Sequence, residues 1–246
     1  MNSFMDWLER TKLLMGEVTV ERYISAHILI VGVGGVGAYA AEMLVRSGVG
    51  ELTIVDADVV SESNLNRQLI ALHSTLGKSK VEVLEKRLLD INPNLKIHSF
   101  NEFLKDERIP ELLDSVRFDY VVDAIDTLSP KVFLIQHAIE RKIPLISSMG
   151  AGAKFDITKI SIADISKSYN CALAKAVRKR LSKVGVKKGF TVVFRLVGIL
   201  TVDEEGVPEY GEVAPTTFIP DWVTRLPSES VVNTPSRVKY WLPSLS

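Results

Sequence analysis

One stretch of the chain, residues 27–80, most constrains the fold, because its elements follow the order of a nucleotide-binding βαβ unit. The apolar run 27–31 has the composition of a strand buried on both faces of a parallel sheet. Residues 32–37 then read Gly-Val-Gly-Gly-Val-Gly, and a predicted helix continues to residue 47 with small and apolar side chains on one face. A second apolar run, 51–55, ends directly before Asp56. The pattern predicts strand, glycine turn, helix, strand and acid.

The glycines and the acid serve different purposes in such a unit. Glycine lets the backbone approach a phosphate closely, and the N-terminus of the following helix supplies N–H groups and a positive dipole. The carboxylate of Asp56 is placed to accept hydrogen bonds from ribose hydroxyls. The predicted nucleotide-binding glycines are Gly32, Gly34, Gly35 and Gly37. Alone, this motif does not say which nucleotide binds.

Strands and helices alternate along most of the chain, which predicts an α/β fold with a Rossmann-like, doubly wound, mostly parallel sheet. We expect helices at about 3–15, 78–91, 129–142 (with Ser129 as N-cap and Pro130 in the first position) and 171–184, and strands at 96–99, 119–124, 144–148, 159–165 and 191–196. These elements place one domain at 1–220. Residues 221–246 are rich in Pro and Ser without a helical period, and they predict an irregular, atypical tail, for which a frameshift is one hypothesis.

Composition sets a few limits on function. The 30 basic and 30 acidic residues balance, so the overall charge gives no argument for nucleic-acid binding. A single cysteine, Cys171, excludes an internal disulfide and a Cys-rich zinc site, and we expect a passive thiol rather than an acceptor thiol. The start of the chain has no signal-peptide pattern, and no apolar run has membrane-spanning length, so we expect a cytoplasmic protein. His27, His73, His98 and His137 fall in unrelated elements, where structural or surface roles are expected.

The residues after the second strand favour ATP over NAD. Arg67 and Lys80 are cations in reach of the predicted phosphate site, and Asp126 follows the strand at 120–122, at the carboxyl end where ligands of such sheets bind. An ATP-dependent reaction needs cations over the phosphates and an acid to hold magnesium. A hydride-transfer enzyme would need the glycines and Asp56 but not this set.

The segments 32–37 and 63–68 (Ser-Asn-Leu-Asn-Arg-Gln), with Lys80 and Asp126, resemble the adenylation core of the ubiquitin-activating, ThiF and MoeB-type superfamily. The resemblance implies that a carboxylate is activated as an acyl-adenylate with ATP and Mg2+. It also implies a homodimer, in which an N-terminal arginine, here Arg10, reaches the ATP of the partner subunit. By the same pattern Asp126 holds magnesium, Asp56 holds the ribose, and the further nucleotide-binding residues are Asp58, Asn64, Asn66, Arg67, Gln68 and Lys80. An alternative interpretation of Asp58 is an acidic residue in an exposed loop.

Within that superfamily, the chain is similar to the tRNA threonylcarbamoyladenosine dehydratase family over roughly residues 5 to 195. The matching segments are 123–127, Pro130-Lys131, 143–146, 150–152, 164–167 and 177–181. The resemblance implies adenylation of the threonylcarbamoyl carboxylate beside the tRNA anticodon, followed by intramolecular attack with loss of AMP. It suggests a cysteine desulfurase system as a further partner and gives no role for DNA. Lys131 fits this pattern, although a lysine on the surface of a helix would look the same in the sequence.

A one-sided charge pattern agrees with an RNA substrate. No acid occurs between Asp164 and Asp203, and the segment 165–195 is basic. The candidate tRNA-binding residues are Lys175, Arg178, Lys179, Arg180 and Lys183. A solvated helix face would carry the same pattern.

Three other interpretations stay open. The first is an activating enzyme for a ubiquitin-like sulfur carrier, although the chain lacks the paired Cys-x-x-Cys motifs that are common among those relatives. The second is a nucleotide-binding module without catalytic activity. The third, a dehydrogenase, has the least support.

Overall fold

The computed structural model describes residues 7–105, 107–150 and 159–195. Within these ranges seven strands form one sheet: β1 (His27–Val31), β2 (Glu51–Val55), β3 (Lys96–Phe100), β4 (Tyr120–Asp123), β5 (Leu145–Ser148), β6 (Ile160–Asp164) and β7 (Thr191–Arg195). The helices are α1 (Glu9–Met15), α2 (Glu17–Ser25), α3 (Gly37–Arg46), α4 (Lys80–Ile91), α5 (Arg108–Ser115), α6 (Leu128–Glu140) and α7 (Ala172–Leu181). The tail at 221–246 and the domain limit at 220 lie outside the described residues and stay predictions.

The strand order is β3-β2-β1-β4-β5-β7-β6, and all neighbours are parallel except the edge pair β6 and β7. This arrangement confirms the predicted α/β class and the doubly wound, mostly parallel sheet. The order reverses between β1 and β4, which leaves a crevice at the carboxyl ends of these two strands.

Helices cover both faces of the sheet, because successive side chains of a strand point to opposite faces. Ile28 and Ile30 of β1 belong to the core under α3 and α4, whereas Leu29 and Val31 belong to the core under α5, α6 and α7. All five residues of β1 are buried, as its continuous apolar composition predicts.

The structure corrects several predicted elements. The sequence reading missed α2 and α5, although the buried residues Ile109, Leu112 and Leu113 of α5 have helical spacing. Helix α6 begins at Leu128 with Thr127 as N-cap, so the prediction of Ser129 as N-cap is wrong. Pro130 is still tolerated, because the first turn of a helix has N–H groups without intrahelical partners. The N-terminal helix spans Glu9–Met15 of the described residues, and positions 3–6 of its predicted range lie outside them.

Among the residues described, no helix combines the length and apolar character needed to cross a bilayer.

Candidate active site

A cleft of about 700 Å³ opens at the crevice between the carboxyl ends of β1 and β4. The loops that follow β1, β2, β3, β4 and β5 all contribute to it. Of the predicted site residues, nine line the cleft: Gly32, Gly34, Gly35, Asp56, Asp58, Arg67, Gln68, Lys80 and Asp126. Gly37, Asn64, Asn66 and Arg10 are not among its described lining residues.

Gly32 and Gly37 close the turn after β1, whereas Gly34 and Gly35 leave room at the cleft. Gly32 has φ +86°, and a Cβ there would lie 2.7 Å from the carbonyl oxygen of Ala124. A Cβ at Gly37 would lie 1.8 Å from the carbonyl oxygen of Gly32, which no side chain can accept. Gly34 and Gly35 have ordinary contacts and border the cleft. Gly37 is therefore needed for turn closure, whereas Gly34 and Gly35 leave the room that a ligand would use.

Asp56 connects the end of β2 to the glycine turn. Its Oδ2 accepts a hydrogen bond of 2.7 Å from the backbone N–H of Val33, and its Oδ1 accepts one of 2.8 Å from the N–H of Asp58. A carboxylate has about four acceptor positions, so each oxygen can still accept from a ribose hydroxyl. Asp56 thus orients the turn and still faces the cleft.

Lys80, the first residue of α4, extends into the cleft against Asp58. The Lys80 Nζ donates to Oδ2 of Asp58 at 2.7 Å, and the Lys80 side chain is 6% exposed whereas that of Asp58 is 70% exposed. The Lys80 backbone N–H also donates to the Asp58 carbonyl oxygen at 3.0 Å. The ammonium group is thus held at the cleft by an acid that is itself open to solvent.

The segment 63–68 divides into structural and cleft-facing residues. Asn64 is buried, and its Oδ1 accepts from the Ser61 backbone N–H at 3.1 Å, which caps the short 3-10 helix Glu62–Asn64. The Arg67 guanidinium donates to the Ser63 carbonyl oxygen at 2.8 Å and to Asn66 Oδ1 at 3.0 Å. Asn64 and Asn66 therefore orient the loop that carries Arg67 and Gln68.

Gln68 has an unsatisfied polar atom. Its side chain is buried, and its Oε1 has no hydrogen-bond partner among the residues that the structure describes. Leaving a buried amide oxygen unpaired is costly, so such an atom at a cleft points to a ligand or to the rotated amide, which would present Nε2 as a donor.

Asp126 is exposed in the loop between β4 and α6, and a buried ion pair lies behind that loop. The Lys131 Nζ donates to Asp123 Oδ2 at 2.7 Å, to Ser147 Oγ at 3.2 Å and to the Ser148 carbonyl oxygen at 2.9 Å. Lys131 and Asp123 are fully buried. The structure thus decides against a surface position for Lys131, whose bonds join α6 to the ends of β4 and β5.

Several lining residues were missed by the sequence reading. Glu102, Phe103 and Leu104 follow β3, and Met149 and Gly150 follow β5. Phe103 is 58% exposed although it is aromatic. Only their position in the sequence could have indicated that these residues line the cleft, because both segments come directly after a predicted parallel strand.

Arg10 lies far from the cleft of its own chain. It is exposed on α1, and the neighbouring Leu8 packs against Gly48, beyond the end of α3 that is remote from the glycine turn. Helix α3 has ten residues and is about 15 Å long, so its length separates Leu8, next to the start of α1, from the glycine turn.

Within the basic segment 165–195, the five predicted tRNA-binding residues lie on α7 and on the 3-10 turn Ser182–Val184. Ala174, Val177 and Leu181 are buried, and Leu173 reaches the cleft. The predicted tRNA-binding residues differ in exposure: Lys175, Lys179, Arg180 and Lys183 are exposed, whereas Arg178 is partly buried. The Arg178 guanidinium donates to the Ser168 carbonyl oxygen at 2.7 Å and to its hydroxyl, so part of its role is structural.

Comparison with known proteins agrees with this geometry. The ThiF family model matches residues 8–218. The tRNA threonylcarbamoyladenosine dehydratase of Bacillus subtilis is 43% identical over 202 residues, which are 82% of this chain and 79% of that protein. The molybdopterin-synthase adenylyltransferase of Escherichia coli is 35% identical over 146 residues, which are 59% of this chain and 58% of that protein.

The fold also matches solved structures of the E. coli tRNA N6-threonylcarbamoyladenosine dehydratase. The complex with ATP has a TM-score of 0.76 and 37% identity and covers 79% of this chain and 83% of that chain. The complex with AMP has a TM-score of 0.77 and 35% identity. This match covers 85% of this chain and 88% of that chain. The resemblance predicted from the glycine turn and the segment 63–68 is thereby confirmed. The chain belongs to the ThiF family, within the group of the tRNA threonylcarbamoyladenosine dehydratases.

Proposed function

We propose that the protein is an ATP-dependent dehydratase that cyclises the threonylcarbamoyl group on adenosine beside the tRNA anticodon. The observation that carries the proposal is the convergence of Arg67, Gln68, Lys80 and Asp126 on one cleft beside a glycine turn. This set offers cations for phosphates and a carboxylate for a metal, in a chain that is 43% identical to a tRNA threonylcarbamoyladenosine dehydratase.

The substrate carboxylate attacks the α-phosphorus of ATP and expels pyrophosphate, which gives a mixed anhydride with AMP. A nucleophile within the threonylcarbamoyl group then attacks the activated carbonyl carbon and expels AMP, so the nucleoside loses one water overall. Negative charge grows on the leaving phosphates, and Arg67 and Lys80 are placed to stabilise it. The hydrogen bond from Lys80 Nζ to Asp58 Oδ2 orients the ammonium group before ATP binds.

Asp126 suits magnesium, because Mg2+ is usually bound by one or two carboxylates together with substrate phosphates. The exposed Asp126 side chain borders the cleft and meets this requirement. When bound there, Mg2+ would neutralise phosphate charge and orient the leaving group.

Two variants test the assignments to Arg67 and Asp126. Arg67→Ala and Asp126→Ala should fold but lose AMP release that depends on tRNA bearing threonylcarbamoyladenosine. Asp90→Ala, at an exposed position of α4, is the matched control and should keep wild-type turnover. Nucleoside mass spectrometry should find the loss of one water with wild type alone. Full activity in Arg67→Ala or Asp126→Ala would contradict the role given to that residue.

A homodimer that shares Arg10 follows from the same proposal. Leu13, Leu14 and Val18 of α1 and α2 are 81%, 78% and 65% exposed, an apolar surface suited to a second copy of the chain. Arg10→Ala and Lys80→Ala should each be inactive, and mixing them should restore part of the activity, because one site of the mixed dimer has both residues. A mixture that stays inactive would exclude sharing.

The cellular location and a protein partner are proposed on the same basis. A tRNA substrate and a single reduced cysteine suit the cytoplasm. A cysteine desulfurase system is proposed as a partner, on the family resemblance alone, and copurification would test it.

The second candidate is activation of a ubiquitin-like sulfur carrier, favoured by the 35% identity to the molybdopterin-synthase adenylyltransferase. It would give carrier-dependent pyrophosphate exchange without RNA. Cys171 is buried, which argues against its use as the acceptor thiol.

A further inference from the structure

His27, Glu51 and His98 meet near the amino-terminal ends of their strands, at the end of the sheet opposite the cleft. Their strands β1, β2 and β3 are parallel neighbours, with His27 paired to Glu51 and Thr53 paired to His98. Glu51 and Thr53 are two residues apart and share one face, so both histidines lie on that face as well. The sequence reading placed these histidines in unrelated elements, and the sheet register brings them together.

The ligand atoms of this cluster are close enough to share one ion. The distance from His98 Nε2 to Glu51 Oε1 is 3.1 Å, and that from His27 Nδ1 to the same oxygen is 3.7 Å. One ligand atom from each residue lies within 4.8 Å of the other two. Ligands about 2.1 Å from a tetrahedral ion are roughly 3.4 Å apart, so a small movement completes the geometry. His98 is about half exposed and can supply that movement.

The His27 ring is fixed by contacts that do not involve the other two ligands. Its Nε2 lies 2.8 Å from the hydroxyl oxygen of the buried Thr53, and its ring stacks at a tilt on Phe118 with centroids 4.7 Å apart. When Nε2–H donates to Thr53, the lone pair of Nδ1 faces the Glu51 carboxylate. Two acceptors 3.7 Å apart repel each other unless a proton or a metal ion lies between them. A ligand histidine whose second nitrogen donates to a fixed partner is the usual arrangement in metal sites.

The surroundings of His27 suit a bound cation. Burial lowers the pKa of His27, and the nearby Glu51 carboxylate acts in the opposite direction. Neutral imidazole is the form that binds metals. Glu51 and Asp119 supply negative charge near the ring, opposed by Lys96, and the exposed side of His98 leaves a coordination position for water.

We propose that His27, Glu51 and His98 bind a divalent transition-metal ion, with Zn2+ the best match to two imidazoles and one carboxylate. Magnesium and calcium prefer oxygen ligands alone, which distinguishes this site from Asp126 in the cleft. The ion would connect β1, β2 and β3 and stabilise the folded state, because the unfolded chain does not hold the three ligands together. The cleft lies at the other ends of the same strands, so ATP chemistry does not depend on this site.

The test is a calorimetric titration of untagged, metal-stripped full-length protein with Zn2+, with excess Mg2+ present to occupy the cleft carboxylates. We expect one Zn2+ per chain and a rise in the unfolding temperature. His98→Ala and Glu51→Gln should each weaken binding at least tenfold, and Thr53→Val should weaken it about 10- to 100-fold through loss of the His27 orientation. Co2+ in place of Zn2+ should give visible absorption bands that His98→Ala loses.

The matched control is His73→Ala, which removes an exposed histidine from the 3-10 turn His73–Thr75. It should leave affinity, stoichiometry and thermal shift unchanged. The proposal fails if wild type and His98→Ala bind Zn2+ equally, or if His73→Ala loses as much affinity as His98→Ala. It is also overturned if Zn2+ binds without raising the unfolding temperature, since a site formed only in the folded state must do so.

Discussion

At the scale of single residues, replacing Lys131 should have a large effect on stability. It is a fully buried cation paired with the fully buried Asp123. Lys131→Met would leave a buried carboxylate without its cation, and breaking such a pair costs about 3–5 kcal/mol. Urea denaturation should therefore give a much lower free energy of unfolding. Lys86→Met, on the exposed side of α4, is the control and should change stability little. An equal, small effect of both substitutions would contradict the buried pair.

Two glycines of the same turn should respond differently to alanine. Gly37→Ala places a Cβ against the carbonyl oxygen of Gly32, so we expect a large loss of stability or no folding. Gly34→Ala meets its first neighbour, Gln68 Nε2, at 3.5 Å, so the protein should fold. Its methyl group would enter the cleft and should lower ATP affinity. Thermal unfolding and ATP titration of both variants measure the change in stability and the change in affinity. A Gly37→Ala protein of wild-type stability would contradict the role of Gly37 in closing the turn.

Residue types and spacing made much of the cleft predictable, but not every role. Asp56, Arg67, Lys80 and Asp126 were placed at the cleft because each follows a strand or lies in a recognisable segment. The sequence could not separate Asn64, which caps a turn, from Gln68, which lines the cleft, because both are amides in one polar segment. Nor could it distinguish a buried lysine from a surface lysine at 131, since that depends on Asp123 and Ser147, which neighbouring strands contribute.

At the scale of elements, Glu42 of α3 links that helix to α4. Burial acts to raise the pKa of Glu42, but hydrogen bonds from Arg87 and Arg46 outweigh it and hold the pKa below its ordinary value of 4.5. A lowered pKa in the folded state means that the unfolded chain takes up the proton more readily. The stabilisation is therefore complete above the unfolded-state pKa and is lost as the pH falls through the folded-state pKa.

Glu42→Gln should accordingly be less stable than wild type near pH 7, and the difference should shrink as the pH falls below about 4.5. Denaturant titrations over a pH series measure it. Glu21→Gln, at an exposed position within α2, is the control and should change stability little near pH 7. A stability gap for Glu42→Gln that stays constant down to low pH would exclude the linkage.

Helix boundaries were less predictable than strands. Strand β1 is buried on both faces, so its apolar run is unambiguous. Helix α2 contains Val18, Thr19 and Val20, whose branched side chains weaken the helical signal, and its buried face is limited to Val20 and Tyr23. Tertiary packing, which local sequence does not reveal, decides such short helices.

At the scale of the whole molecule, neutral net charge conceals a local basic surface beside the cleft. The exposed cations of α7 and the following turn lie on the element whose Leu173 reaches the cleft. A tRNA seated there would bring its modified adenosine towards the glycine turn and its phosphates towards Lys175, Lys179 and Lys183. Each phosphate contact releases a counterion, so binding should weaken steeply with salt.

Replacing Lys179 and Lys183 by alanine should therefore weaken tRNA binding and lower the slope of log affinity against log salt by about one for each lysine. ATP affinity in the absence of tRNA should be unchanged, because neither side chain borders the cleft. Lys86→Ala with Lys96→Ala removes the same charge from exposed positions elsewhere and serves as the control. If both double variants lower the slope equally, the attraction is a property of total charge. If only the α7 variant does so, the basic surface beside the cleft is where the RNA backbone binds.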